Sequence, residues 1–296
     1  IAGHPRTFEA KMITNGNINS LDGRLPLATL NRTVTNNLNN LVFMRTKKEA
    51  GFSMYVETSE DTTFTLNWGD GSDPEDFPTS SNVVTIIHDY ILVGTKNINI
   101  TGGMDKVTRL DCFFNQLTTL DVSSNTALTT LFCFSNQLTT LDVSNNTALI
   151  TLDCYSNQFT TLDVSNNTAL TYLNCFSNQF TTLDVSNNTA LIILDCYSNQ
   201  LTTLDVSSNT ALINLVCYSN QLTTLDVSSN TALTYLNCNS NQLTTLDVSS
   251  NTALTNLVCY SNQLTTLDVS NNTALITLFC YNNLFNTATV NSILTT

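Results

Sequence analysis

The sequence predicts a mainly β chain: a solenoid of about nine 21-residue coils with two parallel β-ladders, preceded by a small β-sandwich cap and closed by a short C-terminal helix. Three observations lead there. Nine cysteines stand at 112, 133, 154, 175, 196, 217, 238, 259 and 280, always 21 apart, and a fixed period of that size marks units that bury their apolar faces only by stacking on copies of themselves. All Gly, Pro, Met, His and Trp lie at or before Met104, and from Val107 onward there is no Lys or Glu either, so the composition changes near 104–107. Ahead of that change, short alternating apolar runs are separated by Gly, Asp, Pro and Ser, the punctuation of a β module.

Residues 1–40 carry little pattern and read as a linker or partly ordered segment. Residues 41–106 hold the runs LVFMR, FSMYVE, TTFTLNW, VVTIIHDY and KNINITG. Within them, Trp68-Gly69-Asp70-Gly71-Ser72 has the form of a tight turn beside a core tryptophan, and His88 reads as a residue packing near Tyr90 rather than a catalytic one. An open solenoid end exposes apolar side chains and unpaired strand edges, and a module placed here covers them.

The repeats occupy 107–284. One unit, from Leu128, reads LTTLFCFSNQ and then LTTLDVSNNTA, two near-copies of L-x-x-L-x-(C or V)-x-x-N. Leu131-Phe132-Cys133-Phe134 and Leu141-Asp142-Val143-Ser144 both alternate apolar-in with variable-out, which is strand periodicity, so each coil is expected to place a short strand in each of two ladders. Thr-Thr pairs and Asn-Ser tracts leave no 3.6-residue apolar stripe, which argues against helix inside a coil. The coils bend without Gly or Pro. The two Asn columns, Asn115 to Asn283 and Asn125 to Asn272, are therefore expected to occupy the left-handed turns and to bond the backbone of their own and the neighbouring coil. Residues 285–296 form the C-terminal cap, with Val290, Ile293 and Leu294 at helical spacing from about Asn286.

The pattern met by Leu128, Leu131, Cys133, Asn136 and Leu138 resembles the leucine-rich repeat, and its nested ten-plus-eleven form resembles the bacterial IRREKO subtype of surface and secreted proteins. The Trp68–Ser72 turn, His88-Asp89-Tyr90 and Ile98-Asn99-Ile100-Thr101 resemble the PKD-like β-sandwich of bacterial surface proteins. These resemblances imply a secreted or cell-surface bacterial protein. The chain begins at Ile1 without a signal peptide and reads as a processed or trimmed product.

Composition narrows the function. A net charge of −13 argues against nucleic acid and anionic membrane as partners, and no apolar run is long enough to insert in a bilayer. The cysteines, 21 apart and each beside an inward Leu, lack the close spacing of a metal site and read as free, buried small hydrophobes; no cofactor is implied. The column Asp121, Asp142, Asp163, Asp184, Asp205, Asp226, Asp247 and Asp268 reads as solvated carboxylates bonding the adjacent turn, with diffuse cation binding as the alternative.

The two outward faces differ. Beside the Leu-Asp-Val half, Thr, Asp and Ser hardly change from coil to coil. Beside the cysteines, the positions three before, one before and one after Cys vary, and eight of the nine that follow Cys are aromatic. Sameness suffices for a scaffold, so variation confined to one face marks recognition. The candidate ligand-binding residues are Phe113, Phe134, Tyr155, Tyr172, Phe176, Tyr197, Tyr218, Tyr235, Tyr260 and Tyr281. Stacking of these rings on one another to stiffen the sheet is the competing reading. The function expected is non-catalytic recognition or adhesion, with a protein or glycan as ligand. Two alternatives remain. One is a glycan-active enzyme using Asp111, Asp153 and Asp195, against which nothing nearby in sequence raises one carboxyl's pKa; the other is ice or surface binding by the Thr-Asp-Ser face.

Overall fold

The computed structural model describes residues 11–14, 17–20, 41–46, 51–79, 84–89 and 96–287. Residues up to Leu138 and those from Thr139 form two compact units.

In the first unit the strands are β1 (Lys11–Thr14), β2 (Asn17–Ser20), β3 (Leu41–Thr46), β4 (Phe52–Thr58), β5 (Thr62–Asn67), β6 (Glu75–Thr79), β7 (Val84–His88), β8 (Lys96–Thr101), β9 (Val107–Asp111), β10 (Leu117–Asp121) and β11 (Thr130–Phe132). The stretch expected as linker thus contains the short hairpin β1–β2, and β1 adds to the edge of β7. One sheet runs β2-β1-β7-β4-β9-β11 and the other β6-β5-β8-β3-β10. Alternation in β4 sends Phe52, Met54 and Val56 inward, where they meet Phe64, Leu66 and Trp68 from the β5 region and Ile98 and Ile100 of β8 in a common core. Trp68 is fully buried, edge-on to Phe52 and stacked on His88 with 4.2 Å between ring centroids. Turn chemistry fixes the following loop. The Asp70 carboxylate accepts Ser72 N–H at 2.9 Å, and Gly69 takes a positive φ where any Cβ would collide with the Asn97 carbonyl. Tyr90, the expected neighbour of His88, lies outside the described residues.

The module caps the first coil on both sides. β4 pairs antiparallel with β9, and β3 pairs antiparallel with β10, so neither edge of that coil is left as an open row of donors and acceptors.

In the second unit, β12 (Thr151–Asp153), β13 (Tyr172–Asn174), β14 (Ile193–Asp195), β15 (Asn214–Val216), β16 (Tyr235–Asn237), β17 (Asn256–Val258) and β18 (Thr277–Phe279) stack as one parallel ladder in strict 21-residue register. Each coil wraps columns of Leu, Cys and Val that are buried in every coil but the last, with Phe159 and Phe180 replacing Leu in two coils and packing face to face.

Two expectations need correction. The Leu-Asp-Val half forms no second ladder: in the second unit it has no strand. Its Asp carboxylates and turn N–H groups bond within the coil. Ser186 N–H bonds Asp184, Asn188 N–H bonds Val185 O at 2.9 Å, and Leu191 N–H bonds Asn188 O at 3.1 Å, so the Asn188 amide makes the coil-to-coil link instead, to Val164 O and Asn167 O. In the first unit the equivalent Leu117–Asp121 is a strand because β3 lies beside it. The left-handed positions, moreover, are not the Asn columns but the residue before the first of them: Ser156, Ser177, Ser198, Ser219, Ser240 and Ser261 at φ 51–54°, with Asn282 in the last coil. Folding back one residue early aims the Asn side chain inward. Asn220 then donates to Cys217 O and Cys196 O, each at 3.1 Å, while its Oδ1 accepts Leu201 N–H at 3.0 Å. The expected C-terminal helix at Val290, Ile293 and Leu294 lies outside the described residues.

Candidate recognition face

The parallel ladder alternates, so the residue before Cys and the residue after it both point outward while the intervening thiol points in. Eight of the cysteines are fully buried, Cys280 is partly exposed, and none is joined in a disulfide. Burial pushes up the thiols of Cys112, Cys175, Cys217 and Cys259, and those of Cys196 and Cys238 to about 12, so these are inert hydrophobes at neutral pH. Among the described residues no group of three or more His, Cys, Asp or Glu is set to hold a metal.

The rings after Cys stack, and all but the terminal Tyr281 are half-buried. In the first unit Phe113 lies on Phe134 at 4.5 Å between centroids, nearly parallel. In the second, Tyr155, Phe176, Tyr197 and Tyr218 form an unbroken column at 4.3, 4.1 and 4.3 Å, and Tyr260 on Tyr281 resumes it at 4.5 Å past Asn239. The 21-residue register places identical positions about one strand spacing apart, which is close to the offset-stacking distance of aromatic rings. Self-stacking therefore holds the rings rigid, and one edge of each stays open to solvent. Tyr172 and Tyr235 stand in a second outward row, three before Cys, also half-buried.

Between the two rows lie the residues one before Cys. Asp153, Asn174 and Asp195 are register partners on adjacent strands. Burial pushes the Asp153 carboxyl up to about 7, against the opposing pull of Tyr155 N–H and the Asn174 amide, and pushes Asp195 up to about 6. The sequence around these carboxyls carries no charge that would raise them; the cause is desolvation by burial in the stacked ladder. In the first unit the equivalent Asp111 accepts a bidentate pair from Arg109, Nε at 3.0 Å and Nη2 at 2.9 Å, and the guanidinium lies over the Tyr55 and Phe132 rings at 5.0 and 4.8 Å.

Elsewhere the carboxylates are ordinary. Those of Asp142, Asp163, Asp184, Asp205, Asp226, Asp247 and Asp268 are exposed, each accepts the N–H of the Ser two residues on at 2.9 Å, and these bonds hold them below the usual carboxylate range despite neighbouring like charges. The groove between Asp163 and Asp184 is open and lined by Thr, Ser and Asn without buried polar groups aimed into it. In the cap, Asp70 accepts His88 Nε2 at 3.1 Å; burial opposes its charge, but bonds from Ser72 and His88 prevail and hold it near 2.

A core of Leu and Cys columns, one parallel ladder and Asn-bonded turns define a leucine-rich-repeat solenoid. The chain is similar to the functional domain of InlJ from Listeria monocytogenes, which includes a cysteine ladder: 45% identity, TM-score 0.61, covering 62% of this chain and 42% of that one. It is also similar to a leucine-rich repeat protein of Leptospira interrogans, at 25% identity and TM-score 0.53, covering 62% of this chain and 57% of that one. YopM from Yersinia enterocolitica shares the fold, at 22% identity and TM-score 0.50, covering 60% of this chain and 38% of that one. The chain thus spans less than two thirds of each of these structures. The LVIVD repeat model matches residues 257–283, and no curated protein matches. Among the described residues no helix is long and apolar enough to cross a membrane.

Proposed function

We propose that this chain is a non-catalytic recognition protein of the bacterial surface or secreted milieu, and that it binds a protein ligand through the face beside the cysteines, a glycan being the competing ligand class. The observation that carries this is internal to the chain. One outward face repeats Thr, Asp and Ser almost without change, whereas the other varies from coil to coil and carries ring columns that are rigid before any ligand arrives. Rigid aromatic rows offer large contact area at small entropic cost on binding. The candidate contacts are Phe113 and Phe134 in the first unit and Tyr155, Tyr172, Phe176, Tyr197, Tyr218, Tyr235, Tyr260 and Tyr281 in the second. Likeness to InlJ supports the reading, as do the nested IRREKO-like repeat and the PKD-like sequence of the 41–106 module.

Catalysis by the raised carboxyls is the weaker reading. Acid–base pairs work when their environments push two pKa values apart, and Asp153 and Asp195 are pushed the same way by the same cause. The test is substitution of Tyr155, Tyr197 and Tyr218 by Ser, with ligand capture by pull-down and glycan array as the readout and the thermal midpoint as the control. Capture is expected to vanish while a cooperative transition persists; retained capture overturns the reading.

A further inference from the structure

We propose that Asp153, Asn174 and Asp195 form a receptor for an arginine side chain presented by the protein ligand. This deepens the recognition reading above and rests on it.

The first argument is unmet polarity. Asn174 is only 6% exposed and its Oδ1 has no hydrogen-bond partner; the buried Asp153 Oδ1 has none either. The Asn174 amide nitrogen donates to the Tyr172 hydroxyl at 3.4 Å and to the Asp153 carboxyl, which leaves the Asn174 oxygen as the open function. A buried acceptor without a donor is costly, and on an outward face a ligand can supply that donor. Three successive rungs here present oxygens in a row spanning about 9.4–9.8 Å, and the donors among them, the Asn174 amide and Tyr155 N–H, leave Asp153 Oδ1 and Asn174 Oδ1 unmet. A multi-donor cation matches that row.

The second argument is a worked copy of the same recognition within the chain. At the same repeat position, Asp111 is satisfied by a guanidinium supplied three residues before its cysteine and held against aromatic rings on either side. In the coils of Asp153 and Asp195 that supplying position is Thr151 and Ile193, and no Lys or Arg follows Arg109 anywhere in the sequence. The rings remain: Tyr155, Phe176 and Tyr197 on one side and Tyr172 on the other. The site therefore keeps the carboxylates and the aromatic walls and lacks only the cation. A planar guanidinium suits such walls better than an ammonium, because it stacks and bonds in its plane at once.

The test uses the full chain with 13C-labelled Asp carboxyls and ethylguanidinium as the probe, with N-ethylurea as its neutral isostere. Tyr155, Tyr172, Tyr197, Tyr218, Cys175 and Cys196 are the other titratable groups near the pair. Burial raises Tyr172, Tyr197, Tyr218, Cys175 and Cys196, so these five stay protonated while the carboxyls titrate. Ethylguanidinium is expected to shift the Asp153 and Asp195 resonances saturably and to lower their titration midpoints by about one pH unit, the linkage equivalent of a 10-fold preference for the ionised site. Asp163 and Asp184 stay unmoved, and N-ethylurea has no effect. Asp153→Asn with Asp195→Asn weakens binding, followed at the Asn174 side-chain amide, by about 10-fold or more. Equal shifts at all carboxyls, no shift at the pair, or equal response to the urea overturns the proposal. If that happens while the Tyr→Ser variants still lose ligand capture, the recognition face stands without the arginine site. Saturable binding at the pair alongside retained capture by those variants overturns the face reading instead.

Discussion

The two Asn columns look alike in sequence, yet the structure assigns them unequal worth, and the difference is measurable. Asn220 donates one hydrogen bond across coils, to Cys196 O, and one within its own coil, to Cys217 O, each at 3.1 Å, whereas Asn209 donates two across coils, to Val185 O and Asn188 O at 2.9 Å. In both cases the carbonyls keep a second donor: Asn199 and Asn241 for the first pair, the backbone N–H groups of Asn188 and Leu191 for the second. Replacement by Ala removes equal side-chain volume, so cavity costs cancel. The Oδ1 atoms break the tie. That of Asn220 is the acceptor for the buried Leu201 N–H, whereas that of Asn209 is buried with no partner. An orphaned buried group costs about 1–3 kcal/mol and a lost secondary bond about 0.5–1 kcal/mol. Asn220→Ala is therefore expected to destabilise by about 2–4 kcal/mol. Asn209→Ala loses its bonds but also removes an unsatisfied oxygen, for a net of about 0–1 kcal/mol. Urea unfolding followed by far-UV circular dichroism, with m-values required to match wild type, reads the difference. Equal costs for the two variants refute this hydrogen-bond accounting.

Other predictions follow from the same geometry. Because burial raises Asp153 and Asp195 above their unfolded values, the folded state binds more protons between about pH 4 and 7; the pair's contribution is favourable at low pH and lost as pH rises through about 6 and 7. Asp153→Asn with Asp195→Asn should accordingly raise the urea midpoint more at pH 7.5 than at pH 5, and a pH-independent gain counts against burial as the cause. Thiol labelling of the native chain at pH 8 should modify Cys280 first, and the other eight only on unfolding, as mass spectrometry of the labelled peptides will show. Ser198 holds φ 53°, a region Asn tolerates better, so Ser198→Asn should stabilise by a few tenths of a kcal/mol while the β-branched Ser198→Val costs about 1–2 kcal/mol in the same melts. Arg109→Ala leaves Asp111 buried without its cation, and a loss of about 2–4 kcal/mol is expected, relieved by adding Asp111→Asn.

Much of this architecture could be read from spacing. The 21-residue recurrence of Cys, with Leu two before it, was enough to place the thiols inside and the rings outside, because a repeat that must bury the same columns in every coil leaves one inward solution. The bonding role of Asn was legible for the same reason. Its backbone conformation was not: whether Ser198 or Asn199 takes the left-handed turn depends on which choice aims the amide at the carbonyls of two coils. The missing second ladder was equally hidden, since Leu141-Asp142-Val143 alternates as a strand does, and only the position of Ser144, bonded to Asp142, shows its backbone bent away from pairing.

Period, composition and alternation thus determined by themselves that the chain is a β solenoid behind a β cap, which residues line its core, and which face varies. Those properties are local or repeat with the sequence. What the tertiary structure alone decided is the condition of the groups on that face: rings stacked on one another, and carboxyls at Asp153 and Asp195 raised by burial above the ordinary carboxylate range. Desolvation is set by neighbours a full coil away, and the sequence around an aspartate carries no record of them.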